Sequence, residues 1–324
     1  MTPTTPITSM TSMRESFYAE LDPLLTAADD AVVVLAAIGA GQTAPTAARH
    51  PGRVIDVGIR EQALIGVAGG LALTGRRPIL HSYAPFLVER PYEQLKISLG
   101  HQDVGAILVS IGASYDASSE GRTHQAPADV ALLGALPGWT VHVPGHPDEV
   151  SQILHREVHR DGRAYVRLST QVNDRAYPTD GRIHEVREGD RTTPLVLAVG
   201  PMLDVVLAAT RDLPVRVAGT STPHPLDTAG LRALLGPADA LVVVEPYLAG
   251  TSAAAVAAAL ADRAVRVAHV GVPREAELRR YGTPRDHAAA HGLDAAGVRR
   301  RVVALLDQCH SSGGGRAGFP PRLR

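Results

Sequence analysis

The chain has 324 residues, 45% of them hydrophobic and 20% charged, and a formal net charge of −1. That is enough chain for two domains with large cores, and the near-neutral balance gives no pull toward nucleic acid or an anionic membrane. A single cysteine, Cys309, excludes an internal disulfide and a cysteine-rich metal site. No apolar run reaches the ~20 residues of a membrane span. The opening "MTPTTPITSMTSMRESF" lacks the basic and apolar regions of a signal peptide. These features predict a cytoplasmic protein.

Residues 1–13, rich in Thr, Ser and Pro, read as a disordered N-terminus. Short apolar runs then predict strands at 31–39, 53–58, 77–82, 105–112, 139–144 and 163–169. Helical patterns fall between them at 61–74, 88–100, 126–136 and 147–159. Continuous apolar strands separated by helices predict a doubly wound α/β domain over 14–170, its parallel sheet covered on both faces. The polar, turn-rich stretch 171–194 reads as a linker. A smaller doubly wound domain is expected over 195–308, with strands at 195–200, 215–220, 240–245 and 265–271 and an alanine-rich helix at 251–263. The glycine- and proline-rich end, 309–324, reads as a disordered tail.

One helix raises a question. "VIDVGIREQALIGVAGGLALTG" (54–75) is built of small and apolar residues, yet its helical part begins at Glu61. Gly66, Gly69 and Gly70 each weaken an isolated helix by about 1 kcal/mol relative to alanine, so close packing against another backbone has to compensate. An acid at a helix start answers the macrodipole, which is the plain reading of Glu61. The sequence has no GxxxxGK[ST], no strand-borne GxGxxG, no GxSxG and no HExxH; "GAGQTAPT" reads as a glycine-containing turn. Its histidines lack metal spacing, so no metal ligand is assigned.

Three segments in order are specific. "VIDVGIREQALIGVAGGLALTGRRPI", "HSYAPFLVERPYEQLK" (81–96) and "SSEGRTHQAPADVALLGALPGWTVHVPGHPDEV" (118–150) together resemble the pyrimidine-binding domain of thiamine-diphosphate enzymes of the transketolase family. "TSTPHPLD" (220–227), "VVVEPYLAGTSAAAV" (242–256) and "YGTPRDHAAAHGLDAAGVRRRV" (281–302) are similar to that family's C-terminal domain. The resemblance implies that Glu61 hydrogen-bonds a ring nitrogen of the cofactor's aminopyrimidine and promotes deprotonation of the thiazolium carbon. A carboxyl suits that task when it can hold a proton, which burial among small apolar residues favours. It also places Phe86, with Tyr83, against the pyrimidine ring by stacking, and points His124 at substrate oxygens.

The departures matter equally. Glu120 stands where the family has an aspartate that contacts a substrate hydroxyl, and Arg122 replaces a proline. Gly112, Ala113 and Thr170 stand where phosphate-using members carry basic residues, whereas Arg14 matches an arginine that contacts a donor's phosphate. Substrate binding is therefore assigned to His124, Glu120, Arg14 and Arg122. The family's Gly-Asp-Gly and downstream Asn, which hold the diphosphate and Mg2+, are missing, and the sequence begins directly at the pyrimidine domain.

The resemblance then implies a split enzyme. Its other half is a diphosphate-binding N-terminal-half subunit, in a heterotetramer of two plus two chains. The implied reaction moves a two-carbon ketol unit from a ketose, a sugar substrate, to an acceptor. Two rivals remain. One is the β subunit of a 2-oxo acid dehydrogenase-type enzyme, passing an acyl or glycolyl unit to a lipoyl or carrier protein. The other is a non-catalytic, partner-stabilising subunit.

Overall fold

The computed structural model describes residues 12–275 and 277–313, with side chains to 308. The first domain begins with α1 (Met13–Ala27), whose start is fixed by a capping box: Ser12 accepts from the Glu15 N–H and the Glu15 carboxylate accepts from the Ser12 N–H. Helix and strand then alternate through β1 (Ala31–Leu35), α2 (Ala40–Arg49), β2 (Val54–Asp56), α3 (Glu61–Leu73) and β3 (Arg77–Tyr83). Two π-helical turns, Pro85–Glu89 and Leu95–His101, flank the short α4 (Tyr92–Gln94). The series closes with β4 (Ala106–Ile111), α5 (Asp129–Gly134), β5 (Trp139–His142), α6 (Pro147–Glu157) and β6 (Arg163–Arg167).

These strands form a wholly parallel sheet in the order β2-β1-β3-β4-β6-β5. Side chains alternate between its faces, as a strand dictates. Val32, Val34, Leu80 and Leu108 join α3, the 95–101 turn and α5 on one side. Val33, Leu35, Ile79 and Ile107 join α1 and α6 on the other. Both faces are covered, which is why these strands are continuously apolar.

The second domain contains β7 (His184–Arg187), β8 (Leu195–Val199), α7 (Met202–Ala209), β9 (Arg216–Thr220), α8 (Thr228–Leu235), β10 (Ala240–Leu248), α9 (Ala253–Ala259), β11 (Arg266–Val272), α10 (Pro284–His291) and α11 (Ala295–Gly313). Its sheet runs β11-β10-β8-β9-β7, parallel except for β7. α7 and α11 cover one face, α8 and α9 the other. The α/β class with two doubly wound domains is as the sequence implied.

Several elements differ from expectation. "GAGQTAPT" is a helix start and not a turn: Gly39 takes a left-handed φ of 87° and α2 follows at once. The expected linker 171–194 holds β7, an antiparallel edge strand of the second sheet. The pattern over 88–100 is resolved into π-helical turns around α4. Met13, placed in the disordered start, is the first residue of α1, and residues 1–11 lie outside the described chain. The expected tail begins inside α11, which runs to Gly313; residues 314–324 also lie outside it.

Candidate active site

The packing of α3 explains its glycines only in part. A Cβ on residue 69 would stand 2.5 Å from the Ser98 carbonyl oxygen, so α3 and the 95–101 turn meet backbone to backbone there. Gly66 and Gly70 face open space and share that outer side with exposed Gln62, Val67 and Leu73. The approach to the helix is fixed by Asp56, whose Oδ1 accepts from the N–H groups of Ala37 and Gly58 at 2.9 Å each.

Glu61 opens α3 with its side chain only 10% exposed. Its surroundings are not wholly apolar. Arg90 Nη1 donates to Glu61 Oε1 at 2.7 Å, and the same guanidinium lies over the Phe86 ring, 3.9 Å from its centroid. Sequence reasoning missed Arg90: the pair is separated by 29 positions and depends on the π-helical turn that carries Phe86. The expectation of small apolar neighbours is corrected to an ion pair at the helix start.

Phe86 also meets His124 edge-on, with centroids 4.9 Å apart, and Tyr83 meets both His124 at 5.3 Å and Phe86 at 5.7 Å. His124 lies on a 3-10 turn (Arg122–His124), and its Nδ1 is 3.0 Å from Thr123 Oγ1. Tyr83 closes the end of β3 and packs on Gly112, where φ is 72° and a Cβ would come within 2.5 Å of the tyrosine ring. Only glycine fits beneath that ring.

On its far side Tyr83 lines a cavity of about 300 Å³ with Arg14, Gly112, Asp116, Glu120 and Thr170. Arg14 is positioned by a short relay. His81 is buried, and its Nδ1 lies 2.9 Å from the Val109 carbonyl, so Nδ1 carries the proton and Nε2 accepts from the Tyr18 hydroxyl at 2.9 Å. Tyr18 in turn accepts from Arg14 Nε at 3.3 Å. Burial pushes His81 down to about 4 and keeps the ring neutral. Asp116 accepts from the Thr170 N–H at 2.8 Å, while burial raises its carboxyl above the usual range.

Phe86, Tyr83 and His124 thus form one cluster, joined to Glu61 through Arg90 and continuous through Tyr83 with the cavity that holds Arg14 and Glu120. Arg122 is not brought there. It is paired with Glu277 at 2.6 Å and donates to the Gln125 carbonyl at 2.6 Å. The second domain reaches over this loop at two further points: Ser118 Oγ donates to the Gly282 carbonyl, and Tyr281 lies against Gly121. Among the described residues no group of three His, Cys, Asp or Glu side chains is placed to hold a metal. Among them, too, no helix is long and apolar enough to cross a membrane.

Two doubly wound domains, with a carboxyl at a helix start beside an aromatic cluster, define a transketolase-type architecture. Residues 9–174 match the family model of the transketolase pyrimidine-binding domain, and the chain belongs to that family, whose cofactor is thiamine diphosphate. It is 47% identical over 305 residues to an uncharacterized 33.6 kDa protein in the fasciation locus of Rhodococcoides fascians, covering 91% of this chain and 95% of that protein. It is 32% identical over 275 residues to the 1-deoxy-D-xylulose-5-phosphate synthase of Thioalkalivibrio sulfidiphilus, covering 82% of this chain and 42% of the synthase. The chain therefore spans less than half the length of that relative.

Among solved structures, a split-gene transketolase described as an inactive β4 tetramer matches with a TM-score of 0.78 at 25% identity. That match covers 92% of this chain and 99% of its own. Transketolase from Campylobacter jejuni, at 16% identity and a TM-score of 0.73, shares the fold over 91% of this chain and 46% of its own.

Proposed function

We propose that this chain is the pyrimidine-binding subunit of a split transketolase-like enzyme. It moves a two-carbon ketol unit from a phosphorylated ketose to an acceptor, with the diphosphate of thiamine diphosphate and Mg2+ held mainly on a partner chain. One observation carries the reading: Glu61 and Phe86 already engage a single flat cation, the Arg90 guanidinium, through a carboxylate hydrogen bond and a ring face. A protonated aminopyrimidine asks for the same two contacts, so the residues present fit the group. When bound, the cofactor supplies an acidic carbon that, once deprotonated, attacks a carbonyl.

The chain's own residues have separate tasks. Glu61 accepts from, or gives a proton to, a pyrimidine nitrogen. Phe86 stacks on the ring and Tyr83 walls it off from the cavity. His124 has Nδ1 beside Thr123, which leaves Nε2 for substrate oxygens, where it stabilises developing alkoxide charge. Arg14 meets a donor phosphate and Glu120 a substrate hydroxyl. Kinship with a synthase named for a phosphorylated deoxyketose supports a sugar substrate over a carrier arm.

A partner is supported by the outer side of α3, where Gly66, Val67, Gly70 and Leu73 are open beside the site, and by Ile59, which is 78% exposed just before it. The solved split-gene relative, itself an inactive β4 tetramer, supports the same division between chains, and the proposed assembly has two of each chain. Hydrogen–deuterium exchange at the thiazolium carbon in the assembled enzyme tests the assignment. Glu61→Gln keeps the shape of the side chain but cannot change protonation state, and the exchange should slow at least about 100-fold with assembly intact. An unchanged rate would return Glu61 to the simple role of a helix-start acid.

A further inference from the structure

Arg90 sits at the end of the Pro85–Glu89 turn, its N–H donating to the Pro85 carbonyl at 3.0 Å. Its side chain is 44% exposed, yet its head group is turned inward onto the two residues assigned to the cofactor's ring. A guanidinium is planar, delocalised and weakly hydrated, and it donates in its own plane while stacking through its face. A pyrimidine protonated on a ring nitrogen has those same properties. Glu61 Oε1 at 2.7 Å and the Phe86 face that Arg90 covers at 3.9 Å cannot both be met by a second flat cation while Arg90 holds them.

We propose that Arg90 is a built-in stand-in for the cofactor's aminopyrimidine, holding the place between Glu61 and Phe86 until the cofactor displaces it. This rests on the reading of Glu61 and Phe86 given above and adds a competitor within the chain itself. The stand-in keeps the Glu61 carboxylate paired and the Phe86 face covered in the free subunit. Cofactor capture must break a charge-assisted hydrogen bond and a stacked contact before it makes its own. Affinity for the pyrimidine portion is thereby lowered in the chain alone.

Titration of the full chain with thiamine, which lacks the diphosphate, isolates this competition. In the free chain the Arg90 Nε–Hε resonance should be shielded by the Phe86 ring, and thiamine should return it to the position of an exposed arginine. Arg90→Ala should bind thiamine about ten-fold more tightly than the unaltered chain, the weight of one charge-assisted hydrogen bond. Arg90→Gln, which donates without charge, should fall between them. Equal or weaker binding by Arg90→Ala, together with a loss on Glu61→Ala, would overturn the stand-in and leave the pyrimidine site intact. Thiamine binding that is indifferent to Glu61→Ala and Phe86→Ala in the Arg90→Ala background would overturn the site reading and the stand-in with it.

Discussion

The two sheets belong to one class, yet their carboxyl edges are used in opposite ways. In open α/β sheets ligands bind outside the carboxyl ends of the strands, and the first sheet leaves a cavity at that edge. Tyr83 ends β3, Gly112 follows β4, Thr170 lies just past β6, and all three line the cavity. The second sheet presents an equivalent edge, but the first domain fills it. The Val141 and Val143 N–H groups donate to the carbonyls of His224 and Ser221 at 2.7 Å. A Cβ on Gly200 would stand within 2.8 Å of the Val143 side chain. Ser114 Oγ donates to the Pro246 carbonyl near the carboxyl end of β10 at 2.6 Å. Topology nominates an edge, and packing decides whether it can be a site.

The largest test breaks the filled edge. Arg167 and Asp129 form a buried pair at 2.7 Å; Arg167 also donates to Ser114 Oγ at 2.7 Å and lies over the Tyr247 ring of the second domain. Arg167→Met leaves the Asp129 carboxylate buried without its cation, a change that typically costs about 3–5 kcal/mol. Urea unfolding should show that loss. If domain docking holds the pair, the two domains of the variant should also unfold in separate steps.

A smaller effect probes the open edge through pH. His81 is held near 4 in the folded chain against about 6.5 unfolded, so the unfolded chain binds more protons between those values. The stability gained from keeping His81 neutral is complete above pH 6.5 and is lost as pH falls toward 4. The loss is of order 3 kcal/mol. Burial of Glu149, raised to about 7, acts in the opposite direction between its unfolded value and neutrality. Comparison with His81→Gln cancels that contribution. The stability difference between the unaltered chain and the variant should shrink on acidification from pH 6.5 to 4; a constant difference would place the proton elsewhere.

What the sequence could reveal follows the same physics. Strands buried on both faces are continuous apolar runs, and each such strand was legible. β7 was not: His184–Arg187 is a half-buried antiparallel edge with no apolar run to distinguish it from a linker. α2 was hidden because Gly39, Gly41 and Pro45 read as breakers, although one left-handed glycine suffices to start the helix. The gathering of Glu61, Phe86 and His124 in one place was legible through motif order. Arg90 was not, because its role depends on where a π-helical turn aims it. Arg122 was assigned to substrate because a basic residue there replaces the family's proline, but residues on a 3-10 turn point in different directions, and Glu277 takes it.

That contrast between the two arginines gives the finest test of the open edge. Arg14 lines the cavity and is held through Tyr18 and His81, whereas Arg122 is about half exposed and paired with a similarly exposed Glu277. A phosphate in a closed site calls for charge-assisted donors, and of the two only Arg14 is placed to give them. Arg14→Ala in the assembled enzyme should raise the donor KM about ten-fold with a smaller effect on kcat, the pattern of lost uniform binding. Arg122→Ala should leave donor KM unchanged and shift stability by less than about 1 kcal/mol, as removal of an exposed ion pair does. With Asp116 and Glu120 sharing the cavity and no other cation lining it among the described residues, acceptors should be used with little preference for a terminal phosphate at fixed donor concentration. A strong demand for acceptor phosphate that disappears in Arg122→Ala would reverse the assignment, because Arg122 would then have to leave Glu277 and turn to substrate.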